Sequence, residues 1–227
     1  MSKKIVLIFW GHPYFDGRCM NMLDQLVNEG HKISVLGIGK KAQKLQYNEI
    51  KIYLMDENKF MNPLTKYFKY FKCVKNFIKS KKIDVIIASD LYSMIPVANI
   101  KKQHKAKIIY DSRELYTKLA ALKNKPIIQK IWNIYEKKYI PYIDYTLVTA
   151  KIDKDYLIKL YGNIKIKIVK NLPSNHFLNP QPINLKKILC IEENKNILIY
   201  QGKFHKGRGI KFIIQCIAKI NDAVLVL

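Results

Sequence analysis

Short apolar runs and amphipathic stretches alternate along most of the chain. Lys4 to Trp10 is a continuous apolar run of strand length, the pattern of a parallel strand buried on both faces. Gly11 to Arg18 reads as the loop after it, with turn formers at both ends. Met20, Leu23, Leu26 and Val27 then recur at helical spacing until Glu29-Gly30-His31 stops them. Ile33 to Ile38 is a second strand, which completes one βαβ unit. Glu49 to Met55 reads as a third strand, shorter and near an edge. Asn62 to Lys82 predicts a long helix with Leu64, Phe68, Phe71, Val74 and Ile78 on one face, Tyr67 beside them, and Lys66, Lys69, Lys72 and Lys79 elsewhere on the wheel. Asp84 to Ser89 is a fourth strand, Tyr92 to His104 a helix, and the run from Lys107 to Tyr110 a fifth strand that stops at charged residues. Ile127 to Ile140 predicts a helix with Ile128, Ile131, Trp132 and Tyr135 inward. Tyr145 to Thr149 is a strand, Lys154 to Leu160 a helix closed by Tyr161-Gly162, and Ile164 to Val169 a last short strand.

From Asn171 to Glu193 the period lapses. Pro173, Pro180 and Pro182 interrupt the stretch, which reads as a domain boundary with one short helix. Then the alternation restarts, with a strand at Asn196 to Gln201, a loop from Gly202 to Gly209, a helix carrying Ile210, Ile213, Ile214 and Ile217, and the start of a strand at Ala223 to Leu227. The whole predicts an α/β fold. A Rossmann-like parallel-sheet domain with helices on both faces spans residues 1–171, a linker 172–194, and the first βαβ part of a second Rossmann-like domain 195–227. A lone βαβ fragment cannot bury both faces of its strands, so the second domain is expected to be truncated or completed by something else.

Composition adds a core and a field. Hydrophobic residues make up 49% of the 227, enough for a sizeable interior. Lysine and arginine outnumber aspartate and glutamate 41 to 17, a net charge of +24, which favours nucleic acid, an anionic membrane surface or phosphorylated substrates. The chain is also rich in lysine, isoleucine and asparagine together, so much of the lysine is expected to be solvated surface. No nucleic-acid motif accompanies the charge, and no specific nucleic-acid partner is expected. The aromatic, basic helix at Asn62–Lys82 suits an anionic bilayer; packing on the sheet with a lysine-rich outer face is the plainer expectation. No apolar run reaches the length of a membrane span, and the apolar start is too short for a secretory signal, so the chain is expected to be cytoplasmic. Cys19, Cys73, Cys190 and Cys216 form no Cys-x-x-Cys pair, which argues against zinc and a disulfide framework.

The candidate chemistry lies at strand ends, where open α/β sheets bind ligands. Asp111, Arg113 and Glu114 close the fifth strand. Only Arg18, Arg113 and Arg208 among the basic residues are arginine, and a guanidinium offers a bidentate fork that lysine cannot copy. Each arginine is expected just past a strand end, on one rim. The loop after the first strand lacks Gly-x-Gly-x-x-Gly, so a dehydrogenase is poorly supported. Gly202, Gly207 and Arg208 fall in a Gly-x-x-x-x-Gly-basic frame, but Arg208-Gly209 stands where a nucleoside-triphosphate loop needs Lys then Ser or Thr. What remains is backbone N–H groups exposed by glycines, a helix N-terminus, and the cations Lys203 and Arg208, together a cradle for a diphosphate without a metal.

Four segments carry a family resemblance: Tyr14-Phe15-Asp16-Gly17-Arg18, Tyr110-Asp111-Ser112-Arg113-Glu114-Leu115-Tyr116, Val169-Lys170-Asn171-Leu172-Pro173, and Tyr200-Gln201-Gly202 through Gly207-Arg208-Gly209. In order and spacing the chain resembles the retaining, nucleotide-sugar-dependent glycosyltransferases of family 4, which have two facing Rossmann-like domains, the GT-B fold. The resemblance implies an acceptor on the first domain and a sugar nucleotide on the second. Gly202, Lys203, Arg208 and Gly209 would receive the donor diphosphate, with Lys203 where the family usually has arginine and Arg208 where it usually has lysine. Arg113 takes the position of a family histidine and Glu114 that of the acidic residue beside it, which makes them the catalytic candidates. Asp16, Arg18 and Asp111 would line the acceptor side of the cleft. The family's acidic pair further along the second domain has no counterpart in this sequence, and no metal cofactor is implied. The implied reaction moves a sugar from a nucleotide-diphosphate sugar to a glycan or lipid-linked acceptor in cell-surface polysaccharide synthesis, with the protein peripheral on the inner face of the membrane. The competing reading is a non-catalytic or half-enzyme module that binds acceptor and membrane and needs a partner's donor domain.

Overall fold

The structure is a computed structural model and describes residues 1–79, 81–101, 104–119, 122–172, 183–202, 204 and 207–227. The proline-marked part of the predicted linker, 173–182, lies outside the described residues, as do Lys203, His205 and Lys206 of the glycine-rich loop. The chain divides into two compact units, Met1–Ser174 and Asn175–Leu227.

The first unit is built on one sheet of eight strands: β1 (Lys4–Ile8), β2 (Lys32–Gly39), β3 (Gln43–Tyr47), β4 (Ile50–Asp56), β5 (Val85–Ala88), β6 (Lys107–Ser112), β7 (Tyr145–Val148) and β8 (Ile166–Ile168). Their order across the sheet is β3-β4-β2-β1-β5-β6-β7-β8. Every neighbouring pair is parallel except β3 and β4. The parallel strands therefore run outward from β1 in chain order, through β2 and β4 on one side and β5 to β8 on the other, with antiparallel β3 folded back outside β4. The switch point, where such sheets open a crevice, lies between β1 and β5. Leu7 stands opposite Val35 on one side and Ile87 on the other.

Alternation along the strands feeds two cores. Ile5 and Leu7 of β1, Val35 of β2 and Ile87 of β5 pack with Cys19 and Leu23 of helix α1 (Gly17–Asn28). Val6, Ile8, Ile86, Ile108 and Tyr110 point the other way, onto helices α2 (Lys66–Lys79), α3 (Leu91–Asn99) and α4 (Pro126–Tyr139). A fifth helix, α5 (Lys151–Tyr161), joins β7 to β8. Gly37 has to lack a side chain, because a Cβ there would lie 2.5 Å from the Pro13 ring and 2.8 Å from the Gly11 carbonyl. The loop after β1 is thus seated directly on β2, and Ile38 N–H donates to Gly11 O at 2.8 Å.

Several expectations are corrected. β3 was not anticipated; its sequence is largely polar and solvated, so no apolar run marks it. It turns through Asn48, at a φ of +50°, and takes the edge that β4 was expected to occupy. α1 begins at Gly17 instead of near Met20, because the Asp16 carboxylate caps it by accepting from Cys19 N–H at 2.8 Å. In α2 the buried stripe is Tyr70, Val74 and Ile78. Phe68 sits about 200° around the helix from Tyr70 and is 73% exposed, and Leu64 precedes the helix and is 91% exposed. In α4 Trp132 is buried as expected, but Ile128, Ile131 and Tyr135 are exposed and Glu136 turns inward. Glu136 is satisfied there by the hydroxyls of Tyr110 (3.0 Å) and Tyr161 (2.7 Å).

The second unit carries a short helix α6 (Leu185–Ile188), then β9 (Asn196–Ile199), helix α7 (Ile210–Ile217) and β10 (Ala223–Val226), with β9 and β10 parallel. None of its described residues is buried.

Candidate functional site

The end of β6 sets the geometry. Alternation puts Tyr110 toward α4 and Asp111 toward α1. Capping by Asp16 fixes the first turn of α1, which brings Arg18 over Asp111. The pairing is side-on and bidentate, Nε to Oδ2 at 3.0 Å and Nη2 to Oδ1 at 2.6 Å. Arg18 Nη1 also donates to the Val169 carbonyl at 2.8 Å, just past β8. Arg18 is 6% exposed and Asp111 1%. One buried ion pair, with its bond to Val169, therefore fastens together the first turn of α1, the end of β6 and the residue just past β8.

Arg113 lies above this pair. It binds the Asp16 carboxylate, its Nε is 3.9 Å from Asp111 Oδ2, and its guanidinium lies 4.9 Å from the centre of the Phe9 ring. Burial alone would lower its pKa, but Asp16 and Asp111 outweigh burial and raise it, so the charge is held. Glu114 is exposed, and its carbonyl accepts from Ser112 Oγ at 3.2 Å. A pocket of about 270 Å³ opens here, lined by Asp16, Arg18, Arg113, Glu114, Tyr116, Thr149 and Asn171. The structure thus gathers the predicted residues Asp16, Arg18, Arg113 and Glu114 at one opening, with Asp111 beneath them.

Asp90, at the switch point, has no place in the sequence-based site. It is buried after β5, and its carboxylate accepts from Trp10 N–H at 2.7 Å and Ser93 N–H at 2.6 Å, tying the loop after β1 to the start of α3. Burial raises its pKa to about 6 in spite of these bonds. Thr149, after β7, was also missed; its hydroxyl donates to Asp153 at 3.0 Å. Both follow strand ends, so the rule that picked out Asp111 applied evenly to every strand would have found them. Burial pushes the Cys19 thiol far up, which leaves it an inert part of the packing.

In the second unit the loop after β9 has Gly202, Gly207 and Gly209 at φ values of +154°, +96° and +73°, a region only glycine enters at little cost. α7 follows with Gly209 as N-cap and no side-chain cap. Arg208 is exposed beside it. Lys203, the other predicted cation, lies outside the described residues.

The two places differ in what they offer a ligand. In the first unit two guanidiniums are each matched by a carboxylate, and hydroxyl, amide and carboxylate groups line the opening. Such a lining hydrogen-bonds a neutral polyhydroxylated ligand and gives little net attraction to a polyanion. The second unit presents an exposed guanidinium and an uncapped helix start, which suits an anion.

The family profile described as Glycosyltransferase Family 4 matches residues 18–172. No curated protein matches the chain by sequence. Among solved structures the chain is similar to a sucrose-phosphate synthase from Thermosynechococcus elongatus, with a TM-score of 0.78 and 14% identity, covering 99% of this chain and 61% of that one. It is similar to HepE from Anabaena, solved in complex with UDP and glucose, with a TM-score of 0.70 and 11% identity over 99% of this chain and 60% of that one. It is also similar to the lipopolysaccharide outer core galactosyltransferase WaaB in its apo form, with a TM-score of 0.61 and 18% identity over 98% of this chain and 59% of that one. At these identities the likeness carries the fold. The chain spans about 60% of the length of these structures.

Proposed function

Because the chain belongs to glycosyltransferase family 4, we propose that it moves a sugar from a nucleotide-diphosphate sugar to a glycan or lipid-linked acceptor in cell-surface polysaccharide synthesis. The observation that carries this reading is the strand-end pocket of Asp16, Arg18, Arg113 and Glu114, of which Arg18, Arg113 and Glu114 lie inside the family-matched region. In this reading the first unit holds the acceptor. Arg18 and Asp111 act as positioning residues, and Arg113 and Glu114 stand nearest the reacting sugar, where a carboxylate favours a centre with oxocarbenium character. Gly202, Lys203, Arg208 and Gly209 receive the donor diphosphate. When the bond from the anomeric carbon to the diphosphate oxygen breaks, the charge left on that oxygen is offset by these cations and by the start of α7. That step asks for no metal. A uridine nucleotide is the first donor to try, because HepE was solved with UDP and with UDP-glucose. The protein works in the cytoplasm, on the inner face of the membrane; no helix among the described residues is long and apolar enough to cross a membrane.

A second reading is favoured by one observation. No described residue of the second unit is buried, whereas parallel strands are ordinarily covered on both faces. A half-enzyme module that binds acceptor and relies on a partner's donor domain accounts for that. Sugar transfer by the chain alone, followed with UDP-glucose and membrane acceptor, separates the readings. Transfer that falls tenfold or more in Arg208→Ala supports the first. Transfer that begins only when a partner is added supports the second, and an unchanged rate removes Arg208 from the reaction.

A further inference from the structure

The layer of α2, α3 and α4 has an outer side that the sugar-transfer reading does not use. α3 packs against both α2 and α4, and a groove of about 410 Å³ runs between them. Ile95 and Pro96 of α3 floor it, and Phe68, Phe71, Tyr135 and Tyr139 wall it. Phe68 of α2 and Ile127 of α4 are 73% and 75% exposed, and Leu64, just ahead of α2, is 91% exposed. Polar residues would occupy such positions on a helix face that meets only water.

Charge decides what covers this face. Residues 61–79 and 122–139 hold ten lysines, among them Lys69, Lys72 and Lys75 on α2, and one acid, Glu136. Glu136 is buried with its two oxygens bound by Tyr110 and Tyr161, so it does not oppose the field outside. Lys72 and Lys75 edge the groove itself. Lys66 lies 5.0 Å from the centre of the Tyr67 ring and Lys138 5.5 Å from that of Tyr139, which mixes cations with aromatic surface. A soluble polyanion would use the lysines and leave Leu64, Phe68 and Ile127 in water. An apolar protein surface would use those side chains and would have to desolvate the lysines. A bilayer with anionic headgroups meets both, taking apolar side chains below the headgroups and cations among them.

We infer that the outer face of α2, α3 and α4 docks on an anionic lipid bilayer. This deepens the membrane-side reading above by naming the surface and the lipid class. It is tested without donor or acceptor, so its failure and that of sugar transfer are separate results.

The full chain is sedimented with vesicles of phosphatidylcholine alone or mixed with phosphatidylglycerol. It binds the mixed vesicles and not the neutral ones. Changing Lys69, Lys72 and Lys75 together to glutamate weakens binding by about a hundredfold or more. Phe68→Ser weakens it by about tenfold. These side chains are exposed, so thermal unfolding stays where it is. Phe68→Trp reports location directly, because brominated acyl chains quench its added emission. Absence of binding to the mixed vesicles at low salt overturns the inference. So does binding that ignores the lysine changes, or binding that depends on charge alone, with Phe68→Ser at wild-type affinity and Phe68→Trp unquenched.

Discussion

Arg18 and Arg113 in the first unit and Arg208 in the second all follow strand ends, yet they are in different electrostatic states. Arg18 has three N–H groups engaged, two by Asp111 and one by Val169 O. Arg113 is bound by Asp16 and lies near Asp111. Arg208 is exposed and, among the described residues, has no ion pair. An arginine at a strand end is therefore not one kind of signal. Where the fold supplies carboxylates, the guanidinium becomes part of the scaffold and the opening above it is close to neutral. Where it does not, the cation stays free for an anionic ligand. Under the function proposed above, the acceptor's hydroxyls would go to the first place and the donor's phosphates to the second.

The largest expected effect comes from unmatching the buried pair. Asp111→Ala leaves Arg18 charged in the interior and should cost about 3–5 kcal/mol of unfolding free energy, read by chemical denaturation. Replacing both partners with apolar residues should cost far less. A loss under about 1 kcal/mol for Asp111→Ala would mean that the pair is solvated and the rim not preset.

A pH effect of slightly smaller size should arise at Asp90. Its folded pKa is raised to about 6 from the ordinary 3.8, so its contribution is fully present below the ordinary value and is lost as pH rises through the folded one. Stability should fall between about pH 4 and 6 by about 2–3 kcal/mol, and Asp90→Asn should flatten that slope. Asp144 gives the opposite limb. Burial alone would raise its pKa, but hydrogen bonds from Lys101, Ile108 N–H and Lys107 bring it down to about 2. Its contribution is present above 3.8 and is lost as pH falls toward 2. Denaturation curves across pH check both.

Gly37→Ala should cost about 1–3 kcal/mol by driving a Cβ into Pro13 and the Gly11 carbonyl. It also unseats the loop that delivers Asp16, so Arg113 loses its partner. The smallest stability effect is expected at Arg208, where alanine should leave the melting temperature unchanged while ligand binding falls.

Much of this was legible in the sequence, for definable reasons. Parallel strands buried on two faces are apolar runs that stop at polar residues, which is how β1, β5 and β6 and the charged end of β6 announce themselves. β3 gives no such sign because it is an edge strand whose side chains are mostly in water. The partnership of Arg18 with Asp111 spans 93 residues and depends on how α1 crosses the sheet, which no local pattern encodes. In α2 aromatic residues occupy more than one arc, so periodicity allowed several inward faces; packing on α3 chose Tyr70, Val74 and Ile78 and left Phe68 outside. The glycine loop was readable because positive φ values need glycine.

Titration calorimetry of the chain with UDP tests the division of labour most directly, run in parallel on Arg208→Ala and Arg113→Ala. The account predicts binding to the wild type, a loss of about tenfold or more in Arg208→Ala, and wild-type affinity in Arg113→Ala. No binding by the wild type, or binding that depends on Arg113 and ignores Arg208, would contradict it.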